Sequence, residues 1–152
     1  MEAWHGTHVR FESFSAEFVG SGRGDAPIGW GFYFSESRRL GEHYARLASD
    51  ARGLGFLYRV ELAISESEII QLGNEDAPLS RKFLWSQYNS RRQSAGSEVY
   101  AKMLRFANCH VVVANEDNDP SRDKSILCMS PERIRIREVL AFSNSPPHWV
   151  AA

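Results

Sequence analysis

The stretch "GWGFYFSESRRLGEHYA", residues Gly29–Ala45, decides the fold that this sequence predicts. Three consecutive aromatic residues run up to Ser35, and two glycines, Gly29 and Gly31, stand just before them. This compact apolar run predicts a strand over Phe32–Ser35. The glycines beside it would leave room for a ligand or a neighbouring loop to approach closely.

A helical pattern follows this strand at once. From Arg38 to Arg52 apolar residues recur at steps of three and four, which is typical of an amphipathic helix. Gly53 is expected to end the helix. The side chains predicted on its buried face are Leu40, Tyr44, Leu47, Ala48 and Ala51.

Two tyrosines of this segment are candidates for ligand binding. Tyr33 lies on the predicted strand and Tyr44 follows eleven residues later on the predicted helix. Their rings could face each other across a flat aromatic ligand while each hydroxyl makes a polar contact. The alternative is a packed aromatic core in which Tyr44 only fills space on the apolar side of the helix.

The rest of the chain predicts a mixture of strands and helices. A short N-terminal strand ends near His5, a glycine-rich loop covers 15–29, and apolar residues alternate along a strand over 56–64. Without regular strand–helix alternation, the mixture predicts an α+β fold, in one domain over 1–142 with a tail over 143–152. The remaining predicted elements are helices over 78–88 and from a Ser97 cap to 107, and strands over 109–115, 125–129 and 133–140.

Composition narrows the class of protein. The 152 residues are 43% hydrophobic, which suits one ordinary domain with a buried core. A net charge of −1 supplies no basic field that would attract nucleic acid or anionic lipid. No apolar run reaches the length that spans a bilayer. These features predict a soluble cytoplasmic protein that does not engage a membrane.

Two further motifs are weak indications of a catalytic or binding role. His5 precedes Gly6 at a strand end, which puts an imidazole beside an approachable backbone, although a surface histidine is the simpler interpretation. His8 would point to the opposite face of the strand, so no metal site is expected. "GSGRGD" over 20–25 lacks the ending of a P-loop, and its Arg23 still offers a phosphate contact.

Taken together, these motifs resemble a known enzyme family. Trp4-His5-Gly6-Thr7, the glycine-rich loop, the Gly-x-Gly-aromatic-Tyr-Phe-Ser strand and the helical Tyr44 occur in the order found in ADP-ribosyltransferases of the His-Tyr-Glu group. That group includes the poly(ADP-ribose) polymerases and diphtheria-toxin-like enzymes. The resemblance is strongest to compact versions in bacterial and phage polyvalent proteins, and it covers residues 4–45.

The resemblance implies a split β-sheet fold with flanking helices that binds NAD and releases nicotinamide. His5 would bond a ribose hydroxyl, the Gly6 main chain would hold the carboxamide, and Tyr33 and Tyr44 would enclose the nicotinamide ring. The other residues that the resemblance places around the dinucleotide are Thr7, Gly22, Arg23, Phe34 and Ser35.

The sequence departs from the family at the position of the family's characteristic glutamate. The register of the closing strand puts Ser125 where the family has Glu, and a one-residue slip gives Lys124. Neither is an acid, so Asp123 is the expected replacement, with Asp119 further back in the same loop. The missing Glu favours mono-ADP-ribosyl transfer over polymer formation. Gly41 also stands where the polymerases have a serine that bonds the carboxamide.

Three functions therefore stay open. The first is transfer of ADP-ribose from NAD to a macromolecular acceptor, expected to be a host protein if the chain is a bacterial or phage effector. The second is a catalytically impaired module that binds NAD or ADP-ribose. The third is an interaction protein that uses the same scaffold without any ligand.

Overall fold

The computed structural model describes residues 1–19, 30–71, 97–114, 123–143 and 148–150. Within these ranges the chain forms two α-helices, α1 and α2, three short 3₁₀ helices and eight strands. The α-helices are α1 (Arg38–Arg52) and α2 (Ser97–Phe106), and the strands are β1 (Glu2–Thr7), β2 (Phe32–Ser35), β3 (Gly55–Leu62), β4 (Ile69–Gln71), β5 (Val111–Ala114), β6 (Ser125–Cys128), β7 (Ile134–Phe142) and β8 (His148–Val150).

All eight strands belong to one mixed sheet in the order β4-β5-β6-β2-β1-β3-β7-β8. Neighbours are antiparallel except β4 and β5, which are parallel. The predicted α+β class is confirmed. The strand β8 lies within the predicted tail, where Trp149 pairs in register with Leu140 of β7.

The junction between β1 and β2 divides the sheet into two halves. These strands share one register pair, Trp4 with Ser35, whereas every other junction between the described strands has at least three. Beyond Trp4 the ladder stops although both strands continue. The sheet therefore opens beside His5 and Gly6 on one strand and Tyr33 on the other; we call this gap the strand opening.

The core follows the alternation predicted for β3. Tyr58, Val60 and Leu62 are fully buried on one face, together with Phe32 and Phe34 of β2. On the other face Leu57 packs with Trp4 and with Ala45 of α1. The strand ends at Leu62, two residues earlier than predicted.

The bounds of α1 match the prediction, but of its predicted buried face only Ala48 is buried and Leu40 half-buried. The buried residues are Gly41, Ala45, Ala48 and Ser49, whereas 51% of Tyr44 and 45% of Leu47 are exposed. The cause is a close approach of the helix to the sheet. A Cβ on Gly6 would collide with the Gly41 carbonyl oxygen and the Ala45 nitrogen, so only small side chains fit between α1 and β1.

The second helix covers the other half of the sheet. It begins at Ser97 itself, so this serine is the first helical residue rather than the predicted cap. Ala101 and Leu104 are buried against β4, β5 and β6, while Val99 and Met103 are exposed. The helix predicted over 78–88 lies outside the described residues.

Candidate active site

The main chain of Gly6 points into the strand opening. Met1 and Leu62 exchange both of their backbone hydrogen bonds, which fixes the alternation along β1 and β3. Residues at odd positions of β1 bond to β3, so Gly6 directs its N–H and C=O toward β2. Because the β1–β2 ladder ends at Trp4, this pair of groups faces the opening opposite Tyr33.

The imidazole of His5 bridges the opening. Its Nδ1 lies 2.6 Å from the Tyr33 carbonyl oxygen. A carbonyl oxygen only accepts, so Nδ1 carries the proton and Nε2 is the acceptor nitrogen. Burial lowers the pKa of His5 to about 4, so the ring is neutral at physiological pH.

The Nε2 atom of His5 is buried and has no hydrogen-bond partner in the described part of the chain. Buried polar atoms are nearly always paired, so an unpaired acceptor here points to a missing donor. Five aromatic rings surround the imidazole with centroids 5.4–6.4 Å away, and none of these contacts replaces a hydrogen bond; they are Phe11, Phe14, Phe32, Phe34 and Tyr58.

Tyr33 and Tyr44 lie on the same side of the sheet. Ser35 pairs with Trp4, which packs under α1, and Tyr33 is two residues from Ser35, so Tyr33 shares the face that α1 covers. A Cβ on Gly6 would lie 2.9 Å from the Tyr44 Cβ, so the Tyr44 side chain leaves α1 next to Gly6. Its 51% exposure argues against a purely core-filling role. Stacking of the two rings on a ligand stays a prediction.

Gly31 is required by the chain's own packing. Its φ of 145° is unfavourable for other residues, and a Cβ there would lie 2.5 Å from the Cys128 carbonyl oxygen. The close neighbour of this glycine is therefore strand β6, rather than the ligand or loop expected from the sequence. Gly29 lies outside the described residues.

Three predicted ligand residues have buried side chains, namely Thr7, Phe34 and Ser35. The Thr7 hydroxyl accepts from the Val9 N–H, and the Ser35 hydroxyl accepts from the Ser37 N–H. Phe34 packs in the core. Contacts from these residues to a ligand would have to come through their main chains. Gly22, Arg23 and Asp119 lie outside the described residues.

The side chain of Asp123 contacts the N-terminal end of α1. Its Oδ2 accepts a hydrogen bond from the Ser37 hydroxyl at 2.7 Å and forms an ion pair with Arg39 Nη2 at 2.9 Å. Ser125, which the resemblance places at the acid position, pairs in register with Ser35. The carboxylate expected to serve the ribose is thus bonded to the first turn of a helix.

Packing accounts for glycine at position 41. A Cβ on Gly41 would lie 2.8 Å from the Trp4 Cβ and from the Leu57 Cδ1. Leu57 could move its methyl group, but the Trp4 Cβ is attached directly to the strand. A serine at this position would therefore force α1 away from the sheet, whatever it gained at a carboxamide.

Sequence reasoning missed the segment that covers His5. Phe11 and Phe14 pack on the imidazole, and the Phe11 N–H donates to the Tyr58 hydroxyl. That hydroxyl lies 3.3 Å from the Val9 carbonyl oxygen, to which it donates. The repeated phenylalanines of "RFESFSAEF" over 10–18 are the signal that could have indicated this cover.

A second buried histidine has a polar environment of a different kind. His110 Nδ1 accepts from the Ser130 hydroxyl at 2.7 Å, and Nε2 donates to the Asn108 side chain at 3.3 Å. Burial, followed by the Arg133 charge, lowers the pKa of His110. The hydrogen bond to Ser130 joins the residue before β5 to a residue that follows β6. Ser130 is fully buried, so its hydroxyl is not an accessible nucleophile.

No protein-family model matches this chain, and a search of curated proteins finds no match either. In the described ranges no group of three or more His, Cys, Asp or Glu could hold a metal ion. Over the same ranges no helix is long and apolar enough to cross a membrane.

Proposed function

We propose that this protein is an NAD-dependent mono-ADP-ribosyltransferase of the split-sheet type. It would cleave the bond between nicotinamide and ribose and transfer ADP-ribose to a macromolecular acceptor. The observation that supports this most directly is the buried, unpaired, acceptor-only Nε2 of His5, whose Nδ1 bonds across an opening in the sheet. A ribose hydroxyl is a donor of the kind that this nitrogen lacks.

The strand opening offers complementary groups for nicotinamide. A carboxamide needs one acceptor and one donor, and the Gly6 main chain directs a C=O and an N–H toward β2. Tyr44 is half exposed and its Cβ lies beside Gly6, and Tyr33 lies across the opening on the same face. A flat, polar-edged ring would thus find aromatic faces and paired hydrogen bonds together.

Access to Nε2 requires a local movement. Phe11 and Phe14 pack on the His5 ring, so a ribose hydroxyl would reach Nε2 only after one of them shifts. The segment that carries them has no helix or strand between Thr7 and Ala16. Such a segment moves at lower cost than the sheet beneath it.

The reaction would proceed by loss of neutral nicotinamide, which keeps the electron pair of the broken C–N bond. The ribose is left with oxocarbenium character until an acceptor nucleophile adds to it and loses its proton to solvent. Positioning of the two ends of NAD would supply much of the rate. Transfer of one ADP-ribose unit is expected, and an acceptor in a bacterial host cell suits an effector.

A second candidate function is binding of NAD or ADP-ribose without turnover. One observation favours it: the Asp123 carboxylate is bonded to Ser37 and Arg39. If no other carboxylate stabilises the cationic ribose, the pocket would hold the dinucleotide and release it unchanged. The third candidate, an interaction protein without a ligand, has no such supporting observation.

The test uses the purified full chain with NAD. Calorimetry measures binding, and chromatography measures nicotinamide release with and without a bacterial lysate that also receives labelled NAD. We expect heat on mixing, release of nicotinamide and labelled acceptors. Binding alone would favour the second candidate, and an absence of both heat and thermal shift would overturn the proposal.

Tyr44→Ala and Leu47→Ala are the matched variants for this test. Both side chains are about half exposed on α1, so neither substitution should unfold the protein. Loss of stacking in Tyr44→Ala should weaken NAD binding about tenfold. Leu47→Ala should bind NAD as the wild type does.

A further inference from the structure

One oxygen atom joins two distant segments of the chain at the start of α1. Asp123 Oδ2 accepts from the Ser37 hydroxyl and from Arg39 Nη2. Ser37 is the N-cap of α1, and its Oγ accepts the Leu40 N–H at 3.2 Å. A hydroxyl has a single proton, so the carboxylate turns that proton away from the helix and leaves a lone pair for Leu40.

The neighbouring main chains strengthen the same connection. The Glu36 N–H donates to the Lys124 carbonyl oxygen at 3.3 Å, and the Lys124 N–H donates to Glu36 Oε1 at 3.1 Å. Ser35 pairs with Ser125 one step further along. The residues before β6 therefore hold the residues before α1 through side chains and main chain alike.

The seating of α1 determines the geometry of the strand opening. Backbone atoms of Gly41 and Ala45, in the first two turns, lie against Gly6, and the Cβ of Tyr44 lies beside the same glycine. A small rotation of α1 about its axis would shift the Tyr44 side chain relative to the Gly6 main chain. Whatever fixes the first turn of α1 consequently fixes one wall of the opening.

We propose that Asp123 is a positioning residue, which acts on the ligand through Ser37 and α1 rather than as the acid that the sequence predicts. The inference rests on the proposed function, because it assigns Asp123 a role in holding Tyr44 over the nicotinamide position. Arg39 is 82% exposed and contributes little to this role, since exposed ion pairs are weak.

The test compares Asp123→Ala, Asp123→Asn and Ser37→Ala, with Glu42→Gln as a matched control. Glu42 pairs with Arg38 on the same helix and makes no bond to Ser37. An asparagine oxygen can still accept the Ser37 hydroxyl, whereas alanine cannot. Each variant is assayed for NAD affinity by calorimetry and for nicotinamide release at saturating NAD.

We expect Asp123→Ala and Ser37→Ala each to weaken NAD affinity about tenfold. A double variant that combines Asp123→Ala with Ser37→Ala should bind NAD no more weakly than the weaker-binding of the two single variants. The reason is that both substitutions remove the same linkage. Asp123→Asn should retain most of the affinity, and the rate at saturation should change less than about threefold in every variant. Glu42→Gln should match the wild type.

Two results would overturn the proposal. A fall of about 100-fold or more in the saturated rate of Asp123→Asn, with unchanged affinity, would make Asp123 a catalytic residue. If Asp123→Ala has the NAD affinity and the saturated rate of the wild type, Asp123 has no role in binding or in turnover.

If the wild type binds no NAD, the proposed function fails, and amide exchange at Leu40 and Gly41 decides the positioning role. Exchange there should rise about tenfold in Asp123→Ala and in Ser37→Ala but not in the control. Unchanged exchange in Asp123→Ala would contradict the inference.

Discussion

His5 and Tyr33 join the two halves of the sheet where strand pairing has already stopped. The imidazole donates from Nδ1 to the Tyr33 carbonyl oxygen at 2.6 Å and leaves Nε2 buried and unpaired within the described chain. One nitrogen thus performs a structural task while the other remains able to accept a donor. A protein that needed only the structural task would gain stability by losing the second nitrogen.

His5→Phe tests this division of roles. The substitution takes the His5 donor away from the Tyr33 carbonyl oxygen, which costs about 1–3 kcal/mol, and it also removes the unpaired buried Nε2, which relieves a cost of the same size. The free energy of unfolding at pH 7, measured in urea, should therefore change by less than about 1 kcal/mol. NAD binding should be lost. A loss of stability above about 3 kcal/mol would show that the Tyr33 bond holds the sheet together.

The pH dependence of stability should carry the signature of His5. Its folded pKa of about 4 lies below the ordinary value of 6.5, so the unfolded chain binds the proton first as pH falls. Stability is fully present above pH 6.5 and is lost between 6.5 and 4, by about 3 kcal/mol. His110 acts in the same direction, because its pKa is also lowered.

His5→Phe isolates the His5 contribution from that of His110. The variant should lose about 3 kcal/mol less than the wild type between pH 6.5 and 4. It should therefore be the more stable protein near pH 4. Parallel stability curves for the two proteins, from urea titrations at several pH values, would contradict the low pKa.

Some of this architecture could be predicted from the sequence because its causes are local. The helix α1 has a periodic apolar pattern and ends at Gly53, whose φ of 81° suits glycine. The alternation along β3 likewise predicts a strand with one buried face, and Tyr58 and Val60 lie on that face. Both signals are contained within the segments that they describe.

The buried face of α1 could not be predicted, because distant residues decide it. Contact with Gly6 and Gly55 selects Gly41 and Ala45 for burial and leaves Tyr44 and Leu47 outside. The surroundings of His5 depend in the same way on Phe11 and Phe14, which lie outside β1 and so are not part of its residue pattern. The position of Asp123 against Ser37 joins residues 86 positions apart.

Two glycine substitutions should separate packing from backbone strain. In Gly6→Ala the new methyl group meets main-chain atoms of α1, and the helix must move, so we expect a loss above about 2 kcal/mol. In Gly53→Ala the site is open and only the positive φ opposes the change, which costs about 1 kcal/mol. Thermal unfolding compares them. Equal losses would show that α1 can shift freely on β1.

Tyr58→Phe should loosen the cover over His5. The Tyr58 hydroxyl accepts the Phe11 N–H and donates to the Val9 carbonyl oxygen in a buried position, so its removal leaves both groups unpaired. The free energy of unfolding should fall by about 1–3 kcal/mol, and amide exchange at Phe11 should rise.

Because Phe11 must move before a ribose hydroxyl reaches Nε2, NAD association should become faster in stopped-flow measurements. Tyr44→Phe, which removes an exposed hydroxyl, is the control that should leave stability unchanged. Slower association in Tyr58→Phe would mean that the cover forms part of the binding site rather than a barrier to it.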